Sequence, residues 1–244
     1  MISVLGKRTG EMHLALIGDR DNRDFRPESF STLYQRALYQ SMQSLVRRTL
    51  KLLDKNLKNI PEDFRGQAEM IRKSEDEILK RMKRILRKKI SAQRTRIHGD
   101  YHLGQVLNTG KDFVILDFEG EPARAISERR LKHSPLKDVA GMIRSIHYAA
   151  YSYFMTRPKL HAEQMNLLES WIEPWYLYIS GVFFGAYMDT VSESDIIPKE
   201  NGELETLLQT FLLEKGIYEL GYELNHRPDW ITIPIRGIEY LLVS

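Results

Sequence analysis

Apolar residues recur at steps of three and four positions along the first third of the chain. Residues 28–57 carry the first such stripe, which predicts an amphipathic helix. Its members are Phe30, Leu33, Tyr34, Ala37, Leu38, Met42, Leu45 and Val46. Pro61 and Gly66 interrupt the pattern, and a second stripe then predicts another helix that ends near Lys89.

The pattern changes between residues 97 and 119, where the helical period is lost. Residues 105–109 and 113–118 form two short runs on either side of the turn sequence Thr-Gly-Lys-Asp, which predicts a small β-hairpin. The run Phe-Val-Ile-Leu is apolar at every position, as expected for a strand that packs beneath helices.

Helical periodicity returns after the hairpin. Ser134 and Pro135 supply a capping side chain and a proline at the first helical position, which predicts a helix start. Further helices are predicted over 162–190, over 203–225 and after Pro234. The aromatic residues of the 162–190 helix are expected to be core, except for one or two that face the sugar pocket: Trp171, Trp175, Tyr176, Tyr178, Phe183, Phe184 and Tyr187. The predicted fold class is mainly α with a small β-hairpin (α+β), in a single domain over 1–244.

Composition excludes some classes of site and partner. The chain has no cysteine, which rules out disulfides and thiolate metal sites and fits a reducing, cytoplasmic location. It lacks a run of eighteen apolar residues, so we expect no membrane partner. Residues 47–96 contain 17 Lys or Arg against 7 Asp or Glu. Such clustering permits nucleic-acid binding, but no nucleic-acid motif accompanies it. Basic faces of amphipathic helices are usually just solvated, so we expect no nucleic-acid partner. Docking on an acidic protein is a further possibility.

Residues 98–105, which read HGDYHLGQ, carry the strongest chemical signal. In kinase-fold enzymes an Asp orients the proton of the acceptor hydroxyl, and an amide five positions later binds a metal ion. Asp100 and Gln105 have this spacing, and Asp117 follows the hairpin in an Asp-Phe-Glu motif where such enzymes place a second metal ligand. In-line phosphoryl transfer needs an oriented hydroxyl and cations on the phosphate oxygens. The motif therefore predicts a phosphotransferase.

The segments around this motif resemble the maltokinase family, whose members use ATP to phosphorylate maltose. The resemblance covers residues 5–16, 97–124, 128–130, 134–145 and 218–230. It implies the carboxy-terminal lobe of a protein-kinase-like, aminoglycoside-phosphotransferase-like fold. It also implies Mg²⁺ as cofactor, ATP as co-substrate, and maltose or a related disaccharide as acceptor.

The resemblance also implies a role for individual residues. Those of the motif are the catalytic base Asp100 and the Mg²⁺ ligands Gln105, Asp117 and Glu119. The residues themselves favour a supporting role for His98 over a general base, and for His102 over a metal ligand. Those of the sugar pocket are Arg144, Tyr222, Glu223 and Arg227. The alternative for the last three is that Tyr222 and Glu223 simply pack and pair with Arg227, four residues further along a helix.

A kinase-fold enzyme also needs an amino-terminal lobe with a phosphate-covering loop and a lysine for the α- and β-phosphates. Only five residues precede Gly6, and neither feature is found in the sequence. We therefore expect that this lobe is absent, that ATP binds weakly or not at all, and that turnover by the chain alone is low. A separate amino-terminal lobe or a trehalose synthase chain is then an expected partner. The alternative is a non-catalytic sugar-binding or scaffolding lobe, such as the detached tail of a trehalose synthase–maltokinase chain.

Overall fold

The computed structural model describes residues 1–19, 21–155 and 162–243. They form two compact units, of which the first contains Met1–Phe30 and Ser91–Leu204 and the second contains Ser31–Ile90 and Glu205–Ser244. The described residues are mostly helical, with two small antiparallel sheets, which confirms the predicted helical content and the predicted hairpin. None of the helices in these ranges is long and apolar enough to cross a membrane.

The helices and strands alternate irregularly along the chain, with short 3₁₀ turns between some of them. In chain order they are α1 (Ile2–Ala15), β1 (Glu28–Ser29), α2 (Thr32–Asn56), α3 (Glu62–Lys73), α4 (Glu75–Met82), β2 (Gln93–Arg94), β3 (Val106–Asn108), β4 (Phe113–Ile115), α5 (Ile126–Arg129), α6 (Leu136–Met155), α7 (Ala162–Val191), α8 (Asn201–His226) and α9 (Thr232–Val243). The helices predicted after the hairpin are thus present, with ends that differ from the prediction by a few residues.

Helix α1 packs against α7 at a distance that only glycine permits. A Cβ atom at Gly6 would lie 2.2 Å from the carbonyl oxygen of Phe183, and one at Gly10 would lie 2.7 Å from the side chain of Thr190. Residues four apart share one face of a helix, so the backbone of α1 lies directly on α7. Because α7 also contacts α6, these three helices form the core of the first unit.

Both small sheets belong to the first unit. Strands β3 and β4 pair with Val106 opposite Ile115, and the turn is closed where the Thr109 amide donates to the Asp112 carbonyl over 2.9 Å. Gly110 in this turn has a φ of +89°, which glycine adopts without steric cost. Strands β1 and β2 form a second pair that the sequence pattern did not reveal.

The two amino-terminal helix predictions need correction. Helix α2 begins at Thr32 and not at residue 28, because the Ser31 side chain caps it by accepting a hydrogen bond from the Tyr34 amide at 3.2 Å. The second predicted helix is two helices, α3 and α4. They are separated at Ser74, whose backbone leaves the helical region and whose hydroxyl donates to the Met70 carbonyl over 2.8 Å.

The second unit is built around apolar faces of α2, α3, α4 and α9. Its buried residues include Met42, Val46, Leu53, Ile71, Ile78, Met82 and Ile238. The guanidinium of Arg81 donates to the carbonyl oxygens of Leu241 and Leu242 at 2.5 and 2.7 Å. Carbonyl groups in the last turn of a helix have no intrahelical partner, so Arg81 stabilises the end of α9.

The expectation that the aromatic residues of α7 are core is wrong for three of them. Trp171, Trp175 and Tyr178 are exposed, with Tyr178 at 71%, whereas Phe183 and Tyr187 are completely buried. The helical period explains the difference, because residues 171, 175 and 178 lie on one face and residues 183 and 187 on another. Aromatic content alone did not distinguish the two faces.

Candidate active site

Gln105 and Asp117 are brought together at the open end of the hairpin. The side-chain Nε2 of Gln105 donates to Oδ2 of Asp117 over 2.9 Å. The hairpin explains this proximity, because Gln105 directly precedes β3, and the amide of Leu116, directly after β4, donates to the Gln105 carbonyl at 2.9 Å. The structure therefore brings together two of the side chains predicted to bind metal.

The backbone at Asp117 has an unusual conformation. Among the described residues, Asp117 is the one non-glycine residue with positive φ, at 60°. Such a conformation costs energy and is found preferentially at functional sites. The chain then continues to Gly120, and a Cβ atom on Gly99 would lie 3.3 Å from the Gly120 Cα. The segments that carry Asp100 and Asp117 thus pass side by side.

The carboxylate of Asp100 is partly accessible, with its side chain 16% exposed. His102 lies beside it, with Nε2 at 3.8 Å from Oδ2 of Asp100. Nδ1 of His102 accepts a hydrogen bond from the Gly104 amide at 3.0 Å, so the ring proton is on Nε2 and faces Asp100. His102 therefore lies near the Asp100 carboxylate, beyond hydrogen-bond distance, and leaves it open to a ligand.

His98 is buried and connects the loop to the end of β4. Its Nε2 donates to the Leu116 carbonyl at 2.7 Å, and its Nδ1 accepts from the Asp100 amide at 3.4 Å. The ring also lies between Tyr101 and Phe118, at centroid distances of 5.2 and 5.0 Å. His98 therefore contacts the backbone beside both predicted catalytic segments without being exposed to solvent.

Helix α6 supplies the platform on which residues 98–105 rest. The buried carboxylate of Asp138 accepts hydrogen bonds from the amides of His98 at 2.7 Å and Gly99 at 2.9 Å. Two turns later, the Ser145 hydroxyl accepts from the Leu103 amide at 3.0 Å. Residues seven apart lie on the same face of a helix, so this face of α6 binds the loop at two points.

Tyr101 attaches the same loop to α1. Its hydroxyl bonds to Oγ1 of Thr9 at 2.8 Å, and the Thr9 hydroxyl in turn donates to the Leu5 carbonyl at 2.8 Å. Because the Thr9 proton is committed to Leu5, the Tyr101 hydroxyl is the donor. Burial raises the pKa of Tyr101, which keeps that proton in place. The backbone of Tyr101 packs on Gly141, where a Cβ would lie 2.7 Å from the Tyr101 carbonyl oxygen.

Sequence reasoning assigned no role to these supporting residues. Asp138 lies within residues 134–145, and an acidic side chain beside the apolar positions of a predicted buried helix face is the signal that points to it. Thr9 and Ser145 carried no comparable signal, because small hydroxyl side chains are common in helices. Their partners are 92 and 42 positions away along the chain.

The donor set at Gln105 and Asp117 suits Mg²⁺. No cluster of three or more His, Asp or Glu side chains that could hold a metal is found within the described ranges. Mg²⁺ bound with substrate phosphates needs only one or two carboxylates, since phosphate oxygens and waters complete its shell. One carboxylate and one amide oxygen meet this requirement. Glu119, the third predicted ligand, is exposed two residues after Asp117.

Of the predicted sugar residues, Arg144 lies in the first unit. It is on α6 and is buried, with its guanidinium carbon 6.0 Å from the centroid of the Tyr148 ring. Burial of an arginine is unusual unless its charge is compensated.

The other three predicted sugar residues lie in the second unit, at the end of α8. The buried Glu223 carboxylate accepts two hydrogen bonds from Arg227, at 2.9 and 2.7 Å. Arg227 also lies over the rings of Tyr222 and Trp230, at 5.5 and 5.1 Å. The pairing named as the alternative is therefore present, while Tyr222 and Arg227 both keep exposed surface.

Comparison with curated proteins places the chain beside glucosamine kinases. No family model matches the chain. The glucosamine kinase of Streptacidiphilus jiangxiensis is 24% identical over 146 residues, which are 60% of this chain and 31% of that protein. The glucosamine kinase of Mycolicibacterium smegmatis is 30% identical over 149 residues, 59% of this chain and 34% of that protein. The matched part is thus about a third of each relative.

Solved structures extend the likeness to the whole chain. A glucosamine kinase in crystal form B superposes with a TM-score of 0.75 at 20% identity and covers 99% of this chain. A glucosamine kinase in complex with glucosamine, ADP and inorganic phosphate gives a TM-score of 0.73 at 20% identity and covers 98%. The chain spans about half the length of each. It therefore has the fold of the corresponding half of these structures.

The predicted membership of the maltokinase family is wrong, because the curated relatives and the solved structures are glucosamine kinases. Residues 97–124 and 134–145, which carry part of that resemblance, hold the predicted phosphotransfer motif and the helix on which it rests. Maltose as acceptor and trehalose synthase as partner rested on the same resemblance and have no support.

Proposed function

We propose that this chain is the phosphotransfer part of an ATP-dependent sugar kinase with a protein-kinase-like architecture, and that its acceptor is an amino sugar such as glucosamine. The observation that carries the proposal is the Gln105–Asp117 contact beside the loop of Asp100. The glucosamine kinases among the relatives and solved structures support the sugar class, one of them with glucosamine, ADP and inorganic phosphate bound.

The proposed division of labour follows from the donor types. Asp117 and Gln105 would hold Mg²⁺, which when bound neutralises charge on the phosphate oxygens. The amide of Gln105 directs its nitrogen to Asp117 in this structure, so it must turn to present its oxygen to a cation. Asp100 accepts the proton of the attacking sugar hydroxyl. His102, whose Nε2 lies 3.8 Å from Oδ2 of Asp100, supports the loop beside it.

The sugar contacts are a separate part of the proposal. Tyr222 offers an aromatic face on which a pyranose ring can stack, and Arg227 offers several donors for hydroxyl groups. Glu223 holds Arg227 in position through two hydrogen bonds. Arg144 and Glu119 keep the roles that the sequence predicted for them, as a sugar contact and as a carboxylate near the metal.

Sugar-dependent ADP release tests the proposal. The assay uses ATP and Mg²⁺ concentrations high enough to saturate a weak site, and compares glucosamine with glucose and maltose. We expect release that requires glucosamine and Mg²⁺, and that falls at least about 100-fold in Asp117→Asn. Asp21→Asn, at an exposed position, is the matched control and should retain full activity. Glucosamine binding with neither binding of Mg²⁺–ATP nor ADP release would contradict phosphotransfer by this chain and favour a sugar-binding lobe.

A further inference from the structure

A buried row of hydrogen bonds connects three helices of the first unit. The Tyr187 hydroxyl of α7 bonds to Nδ1 of His13 in α1 at 3.2 Å. Nε2 of His13 bonds to Oδ2 of Asp138 in α6 at 3.0 Å. The side chains of His13 and Asp138 are 0% and 2% exposed. Water therefore does not compete for these groups, and each depends on its protein partner.

Each group in this row donates to the next, from Tyr187 to His13 and from His13 to Asp138. Burial and the negative charge of Asp138 both raise the pKa of Tyr187, so its hydroxyl keeps its proton and donates to Nδ1 of His13. A neutral imidazole that accepts at one nitrogen carries its proton on the other. The Nε2–H of His13 is thereby aimed at Asp138. The His13 and Tyr187 rings meet edge to face, at an interplanar angle of 88°, which fixes their relative orientation.

Asp138 is the point at which this row reaches the loop. Its two oxygens accept three hydrogen bonds, from His13 and from the amides of His98 and Gly99. Burial would raise the pKa of the Asp138 carboxyl, but the hydrogen bond from His13, together with that from the Gly99 amide, holds the pKa below its ordinary value. Only the ionised carboxylate accepts at both oxygens without presenting a hydroxyl. Loss of the His13 donor would favour protonation and leave a loop amide facing an O–H group.

We infer that His13 and Tyr187 are positioning residues, which fix Asp138 and through it the backbone of His98 and Gly99 directly before Asp100. The phosphate-transfer chemistry at Asp100 would then depend on two side chains that touch neither substrate. The kinetic part of this inference rests on the proposed function, whereas the structural part does not. Because three helices and the loop share one row of hydrogen bonds, a substitution in the core of the unit changes how firmly the loop backbone is held.

Three variants separate positioning from simple packing. His13→Leu removes the donor to Asp138. His13→Gln keeps an N–H group at about the position of Nε2. Tyr187→Phe removes the hydroxyl that selects the His13 tautomer, and Tyr240→Phe deletes the same group at a partly exposed site as a matched control.

Amide hydrogen exchange followed by NMR gives the direct readout. We expect the His98 and Gly99 amides to exchange at least about tenfold faster in His13→Leu, with most of the protection restored in His13→Gln and none lost in Tyr240→Phe. The Ile143 amide, in the middle of α6, reports global unfolding and should be unchanged. In the kinase assay, kcat should fall about tenfold in His13→Leu with unchanged KM for sugar and ATP, and recover in His13→Gln.

The outcomes distinguish the two proposals. Unchanged protection of His98 and Gly99 in a folded His13→Leu protein overturns the positioning role, whatever the activity. Lost protection together with a wild-type protein that releases no ADP overturns the proposed function and supports the positioning role. The nitrogen NMR shifts of His13 in the wild type give a test that needs no variant. A proton on Nδ1 in place of Nε2 would overturn the direction of the row.

Discussion

Gln105 and Asp117 are twelve positions apart, and a hydrogen bond of 2.9 Å joins the amide nitrogen of one to the carboxylate of the other. Under the proposed function, a cation bound to Asp117 would compete with this bond. Gln105 would supply its amide oxygen to that cation only after its side chain turned.

The Mg²⁺ requirement of the kinase reaction should depend on Gln105. In Gln105→Ala we expect the Mg²⁺ concentration for half-maximal activity to rise about 10–100-fold, because one ligand and the group that orients Asp117 are lost together. Gln40→Ala, at an exposed position of α2, is the control. A Mg²⁺ titration of ADP release gives the measurement. An unchanged half-saturation point in Gln105→Ala would remove this residue from the metal site.

The close contact of α1 with α7 predicts opposite effects for two glycine substitutions. Gly6→Ala places a Cβ 2.2 Å from the Phe183 carbonyl oxygen and should destabilise the protein by about 1–3 kcal/mol. Gly185→Ala, on an open face of α7, meets nothing within 4 Å and should stabilise it by about 0.5–1 kcal/mol. Urea unfolding measures both. Equal effects of the two substitutions would contradict the packing described for α1.

Arg8 should make the stability of the protein depend on pH in the acid range. Its guanidinium binds both oxygens of Asp112 at 2.8 and 2.7 Å and, with the Phe113 amide, lowers the pKa of Asp112 from 3.8 to about 2. The folded-state pKa lies below the unfolded value, so this contribution is complete above about pH 4 and is lost as the pH falls towards 2.

Removal of the guanidinium should therefore reduce the loss of folding stability that occurs as the pH falls from 5 to 3. Urea unfolding at pH 5 and pH 3 should show a smaller loss of stability on acidification in Arg8→Gln than in the wild type. Arg48→Gln, on the exposed surface of α2, serves as the charge-matched control and should retain the wild-type slope. Identical slopes for all three proteins would show that Arg8 does not set the pKa of Asp112.

Arg227 tests the proposed sugar contacts. We expect Arg227→Ala to raise the KM for glucosamine about tenfold, the loss of one good polar contact, with little change in kcat. Arg227→Lys keeps the charge but loses the planar fork that binds Glu223 at two points, and should have an intermediate effect. Lower stability of both variants with an unchanged KM would show that the pair is structural only.

The sequence revealed those features of the fold that depend on neighbouring residues. The β3–β4 hairpin was predictable because two apolar runs flank a glycine turn, and the spacing of Asp100 and Gln105 is likewise local. The β1–β2 pair was missed because Glu28 and Arg94 are far apart in the chain. The row from Tyr187 through His13 to Asp138 was missed for the same reason, since its members are separated by 174 and 125 positions. The maltokinase family was predicted wrongly, because the motif from Asp100 to Asp117 is predicted to serve phosphate chemistry and carries no information on the acceptor.

The most direct test of the central claim is glucosamine-dependent ADP release by the wild type and by Asp100→Asn. Removal of a general base typically reduces kcat by about 10²–10⁴-fold. We predict a decrease of this size in Asp100→Asn, with the KM for glucosamine within about twofold of the wild type. An Asp100→Asn protein that releases ADP as fast as the wild type would contradict the assignment of this site to phosphoryl transfer.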